Sequence, residues 1–177
     1  MNKKRQTAKL IWRITYAHTI AYFIAGALMM YFLSYEEIWA MDIMSFYRPI
    51  DDPLMILAGT VLQIPRGILI ALFILPLRKA FFEEKYGLWK LGLIVIGFAL
   101  ISTIGAPWAS YESYIYTKFP LWLQLKGYPE SILYVGLFIG ILYISQKFEH
   151  KKAITILSIV IMSLLSIMSI MGYMQAI

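Results

Sequence analysis

Residues 54–77 read LMILAGTVLQIPRGILIALFILPL, twenty-four positions that carry a single charge, that of Arg66. A hydrocarbon core about 30 Å thick is crossed by about 20 mostly apolar residues in a helix, so this stretch is long enough to span a membrane. Arg66 lies twelve residues from Leu54 and eleven from Leu77, which places it at the midplane. An arginine at that depth costs roughly 2.5–3.5 kcal/mol on insertion scales and is expected to face the protein interior or water. Pro65 has no N–H to give to the carbonyl of Val61, so Pro65 and Gly67 predict a helix break beside the charge. At about 100° per residue, Gly59, Gln63, Arg66, Gly67 and Ala71 share an arc of about 140°, a small and polar face on an otherwise apolar helix.

Four further apolar runs accompany this one, at about residues 10–33, 88–107, 131–146 and 153–173. The chain is 60% hydrophobic and 15% charged, more apolar than the roughly half expected of a soluble domain. The fold expected is therefore all-α: one transmembrane domain over residues 1–177, a polytopic helical bundle of five membrane spans. Segments 34–53 and 108–130, rich in Tyr and Trp, are expected to lie at the outer interface.

Twelve Lys and Arg, from Lys3, Lys4, Arg5, Lys9 and Arg13 through Arg78, Lys79, Lys85 and Lys90 to Lys147, Lys151 and Lys152, fall on one side of this arrangement. Arg48, Lys118 and Lys126 fall on the other, and the positive-inside bias makes the amino terminus cytoplasmic and the carboxyl terminus external. The localisation expected is the cytoplasmic membrane of a bacterium. A cleaved signal peptide ending near Ala25-Gly26-Ala27 is disfavoured by Arg13 and His18 in its apolar region. A sixth span over Ala109 to Leu125 would place the loop KFEHKK outside and break the charge bias.

No Asp or Glu lies within the five runs, so a counter-ion for Arg66 has to come from an outer loop. Glu112, after the helix-breaking IGAPWASYE, is the first choice, with Asp51 and Asp52 further away, while Glu36, Glu37 and Glu130 read as solvated loop charges. His18 shares a stripe with Ala21, Tyr22 and Ala25 and reads as a hydrogen-bonded packing residue ahead of a proton carrier, a metal ligand or a haem ligand, since the only other histidine, His150, lies in a basic loop. The candidate ligand-binding set is Gln63, Arg66, Glu112, His18 and Tyr22. Ala17, Ala21 and Ala25 form one close-approach ridge, and Gly136 and Gly140 a GxxxG; both are expected to serve helix packing. Arg13 reads as a headgroup anchor, and the serines of the last run, from Ser158 to Ser169, as a helix with more than one neighbour.

Cysteine is absent, which removes thiolate metal sites and cysteine nucleophiles. No nucleophile elbow, HExxH, P-loop or dinucleotide fingerprint occurs, and no metal or cofactor is expected. Three classes remain open: a transporter, channel or membrane-embedded binding subunit with an outward-opening polar cavity around Arg66; a membrane enzyme acting on a lipid or isoprenoid headgroup; and a structural subunit of a larger membrane complex. The partners expected are the lipid bilayer, a small anionic or amphipathic ligand and, through packing faces, a second copy or other membrane subunits, with no role for nucleic acid.

Overall fold

A computed structural model describes residues 3–45, 47–101 and 110–177, without the side chains of Lys3, Tyr111, Glu112 and Tyr116. All regular elements among the described residues are helical: α1 Lys3–Phe32, α2 Tyr35–Trp39, α3 Pro53–Ala58, α4 Gln63–Ile74, α5 Gly87–Leu100, α6 Tyr111–Tyr116, α7 Leu121–Lys147 and α8 Lys152–Ala176. Three of them, α1, α7 and α8, are long and apolar enough to cross a membrane, and α4 and α5 are shorter apolar helices.

The central element is α1. Every residue from Ile14 to Ala21 is buried, and a helix covered on all sides for two turns is the core of its bundle. The α4 and α7 helices both pack on it, α5 packs on α7, and α3 on α8. Ala17, Ala21 and Ala25, the alanine ridge of α1, are all buried. Gly136 and Gly140 lie on the other side of α7 from its buried residues, where an added Cβ would meet nothing described within 4 Å. The GxxxG therefore packs on no described helix of this chain.

The second run differs from expectation in where it breaks. The chain leaves helix at Gly59 and re-enters it at Gln63, so Pro65 stands in the first turn of α4. A first-turn residue has no intrahelical acceptor for its N–H, so proline is harmless there. The carbonyl of Val61, expected to be orphaned, accepts instead from the N–H of Ile64 at 3.2 Å. Two other carbonyls are freed upstream, because Thr60 and Leu62 both donate to Leu57. The carbonyl of Ile56 takes a hydrogen bond from Ser169 of α8 at 2.8 Å, and that of Ala58 takes one from the Gln63 side chain at 2.7 Å. Thr60 adds a bond to the Leu165 carbonyl at 3.3 Å, so α8 braces the break.

The fourth run is longer than expected. Instead of beginning at 131, α7 starts at Leu121 and carries Pro129 inside it, so the 108–130 segment divides into α6 and the first turns of α7. Pro129 and Leu125, whose carbonyl loses its donor, are both exposed, so the defect lies on the outer surface. Glu130 consequently sits in a helix and is half-buried, which corrects its reading as a solvated loop charge. The third run is seen as α5 up to Leu100, and its expected end near 107 lies outside the described residues.

Basic residues gather at one end of the bundle. Arg13 meets Glu149 at 3.3 Å, and Gln146 donates to the Phe82 carbonyl at 2.6 Å, which brings the start of α1, the α4–α5 turn and the α7–α8 turn together. The α4–α5 turn folds so tightly that an added Cβ at Gly87 would lie 2.5 Å from the Phe81 carbonyl oxygen. At the opposite end Tyr35, Ile38 and Met44 pack with Phe119 and Leu123, so the two connecting segments cover each other.

Candidate functional site

Gln63 organises the polar centre because the break needs its amide. Its Nε2 donates to the freed Ala58 carbonyl, and that fixes the amide's orientation with Oε1 directed at α1. There Oε1 lies 3.2 Å from His18 Nε2 and accepts from Arg66 Nη1 at 3.3 Å. His18 Nδ1 lies 2.7 Å from the Tyr134 hydroxyl. Since Gln63 Oε1 can only accept, a neutral His18 carries its proton on Nε2 and accepts from Tyr134 at Nδ1. His18 has no exposed surface, and both of its ring nitrogens are engaged.

Arg66 behaves differently. It is exposed, its guanidinium carbon lies 5.6 Å from the centre of the Tyr22 ring, and both Gln63 Oε1 and the Tyr22 hydroxyl accept from it. No described carboxylate comes within 4 Å of it. Glu112, expected as its counter-ion, stands at the start of α6, and its side chain lies outside the described residues.

Tyr22 occupies the floor between two walls. Arg66 of α4 flanks it on one side, and Glu130 of α7 is within electrostatic reach on the other. Glu130 accepts a hydrogen bond from the Tyr35 hydroxyl, and its second oxygen lies 3.9 Å from where a Cβ on Gly26 would stand. Tyr22, Gly26, Glu130 and Tyr134 are all partly exposed, so the strip remains open to the surface. Burial, and next the neighbouring Glu130, push the Tyr35 phenol above the ordinary tyrosine range.

The structure thus brings four expected residues, His18, Tyr22, Gln63 and Arg66, into one cluster. It adds Tyr134 and Glu130, which sequence reasoning passed over. They stand four residues apart on α7, one helical turn, and that spacing of a carboxylate and a phenol was the available signal.

Two cavities, about 570 and 440 Å³, open at the basic end, and neither is lined by Arg66 or Gln63. Among the described residues no three His, Asp or Glu side chains are grouped to hold a metal ion. Comparison with family models, curated proteins and solved structures finds no match, so the cluster is read from its own geometry.

Proposed function

We propose that the chain is a five-span bundle of a bacterial cytoplasmic membrane, with its basic end and amino terminus inside, that binds a small anionic ligand at Arg66 as a binding or transport subunit. The observation that carries this reading is an exposed guanidinium with no carboxylate beside it among the described residues, in an apolar run whose length puts it near mid-span. Tyr22, its ring partner, is nine residues from Arg13 and ten from Phe32, about 14 and 15 Å along α1. A cation at that depth, with only neutral acceptors, Gln63 and Tyr22, beside it among the described residues, keeps its full charge and retains donors for an anion. The half-helix ending at Ala58 and the one beginning at Gln63 are the kind of discontinuity with which membrane transporters build sites at the midplane.

The test is a thermal-shift and calorimetric screen of the purified chain with small carboxylates and phosphates, repeated with Arg66→Gln. At least one probe is expected to bind and to lose about tenfold or more in affinity in the variant, with helicity retained, as loss of a charged anchor requires. An Arg66→Gln chain that loses its helicity would assign Arg66 to bracing the fold, and unchanged binding would place the ligand elsewhere.

A further inference from the structure

The 440 Å³ cavity at the basic end lies between the start of α1, the end of α7 and the first turns of α8. Its walls carry Arg5, Lys9, Arg13 and Lys151 against one carboxylate, Glu149, which is already paired with Arg13. Arg5 and Lys9 are exposed and have no ion-pair partner among the described residues. Lys151 is the residue before α8, whose first turn has neither an acidic residue nor a side-chain cap; the Ile154 N–H donates to the Lys151 carbonyl at 3.1 Å, which leaves the N–H groups of Lys152 and Ala153 to meet an acceptor. Trp12 forms the inner wall and is fixed by a 3.1 Å hydrogen bond to Ser158, while Ile154 and Ile159 continue the lining along α8.

Cations around an uncapped helix start fit a phosphate, and an indole with isoleucines running along the helix fits an alkyl chain. These two linings meet in one cavity. We propose that it holds the phosphate of an anionic phospholipid, with Arg5, Lys9 and Lys151 on the headgroup and the acyl chains laid along Trp12, Ile154 and Ile159. The proposal rests on the membrane reading of the chain and is independent of Arg66.

The test is native mass spectrometry of the full chain from micelles doped with equal amounts of phosphatidylglycerol and phosphatidylcholine. The variants are Arg5→Gln/Lys9→Gln and, as a control with equal charge loss at the same end, Lys79→Gln/Lys85→Gln. Phosphatidylglycerol is expected to be retained about tenfold over phosphatidylcholine, and the lining variant to abolish that preference. A diffuse surface field gives about fivefold per cation wherever it sits, so equal losses in both variants would overturn the site. Equal retention of the two lipids would also overturn it. Displacement by millimolar inorganic phosphate with no dependence on the acyl chains would make it a free-phosphate site and overturn the lipid assignment. Should Arg5→Gln/Lys9→Gln be poorly folded, Lys151→Gln carries the same expectation. Partition of each variant with the membrane fraction reports the membrane reading separately.

Discussion

Gly67 of α4 faces Thr15 of α1 so closely that an added Cβ would lie 3.0 Å from the Thr15 Cα and 3.1 Å from its carbonyl oxygen. The obstacle is backbone, which cannot swing aside as a flexible side chain would. Gly67→Ala is therefore expected to destabilise by about 1–2 kcal/mol, the overpacking term exceeding the gain in helix propensity. Gly136→Ala is the counterpart: with no described atom within 4 Å of the new methyl, propensity alone should stabilise by about 0.5–1 kcal/mol. Thermal midpoints of the two variants, moving in opposite directions, check the pair.

Ser169 holds the carbonyl of Ile56 that the break sets free. Ser169→Ala leaves that carbonyl without its donor, and about 1–2 kcal/mol of stability should go with it. Ser163→Ala, on the same helix with no side-chain hydrogen bond to the break, is expected to change little. Comparison of chemical-denaturation midpoints in one detergent separates the two.

Thr19 has a buried hydroxyl with no hydrogen-bond partner among the described atoms. Val keeps the shape and removes the polar atom. Thr19→Val is expected to raise stability by about 1 kcal/mol, seen as a higher thermal midpoint. A lower midpoint would mean that the hydroxyl has an acceptor after all.

The Tyr35 phenol holds its proton more tightly in the folded chain than in the unfolded one, because burial and Glu130 oppose ionisation. Above the unfolded value of about 10, the unfolded chain releases the proton while the folded one keeps it, so stability falls as pH rises from there. Tyr35→Phe should remove part of that alkaline loss, though it also removes the hydrogen bond to Glu130. A midpoint-versus-pH series from 8 to 11 for both chains is the measurement, with a shallower alkaline slope expected in the variant.

Much of this architecture was legible in the sequence because hydrophobic run length is a direct consequence of what a helix must bury. The end of α1 and both ends of α8 fall within three residues of the apolar runs at 10–33 and 153–173, whereas α1 begins at Lys3, seven residues ahead of its run, in the basic segment that precedes it. The break was harder to place. Pro65 marks a point where a helix cannot receive an amide proton, but it does not say whether the helix bends there or starts there. Gln63 decides in favour of starting, since its amide can satisfy Ala58 only when the chain turns before it. The same ambiguity hid Glu130, because Pro129 suggested a loop where the helix in fact runs through on its outer side. His18, Tyr22, Gln63 and Arg66 stood out as polar residues within apolar runs, whereas the only mark of Tyr134 was its spacing from Glu130, and its contact with His18 appears only once the helices are docked.

The interruption at Gly59 to Leu62 has an electrostatic consequence. A helix that begins at Gln63 brings its amino-terminal end, worth about half a positive charge, to the middle of the bundle rather than to its rim. Arg66 stands at the fourth position of that helix, so its full charge adds to the dipole's positive end. An unbroken helix would have carried that end away from Arg66 and left the arginine without it.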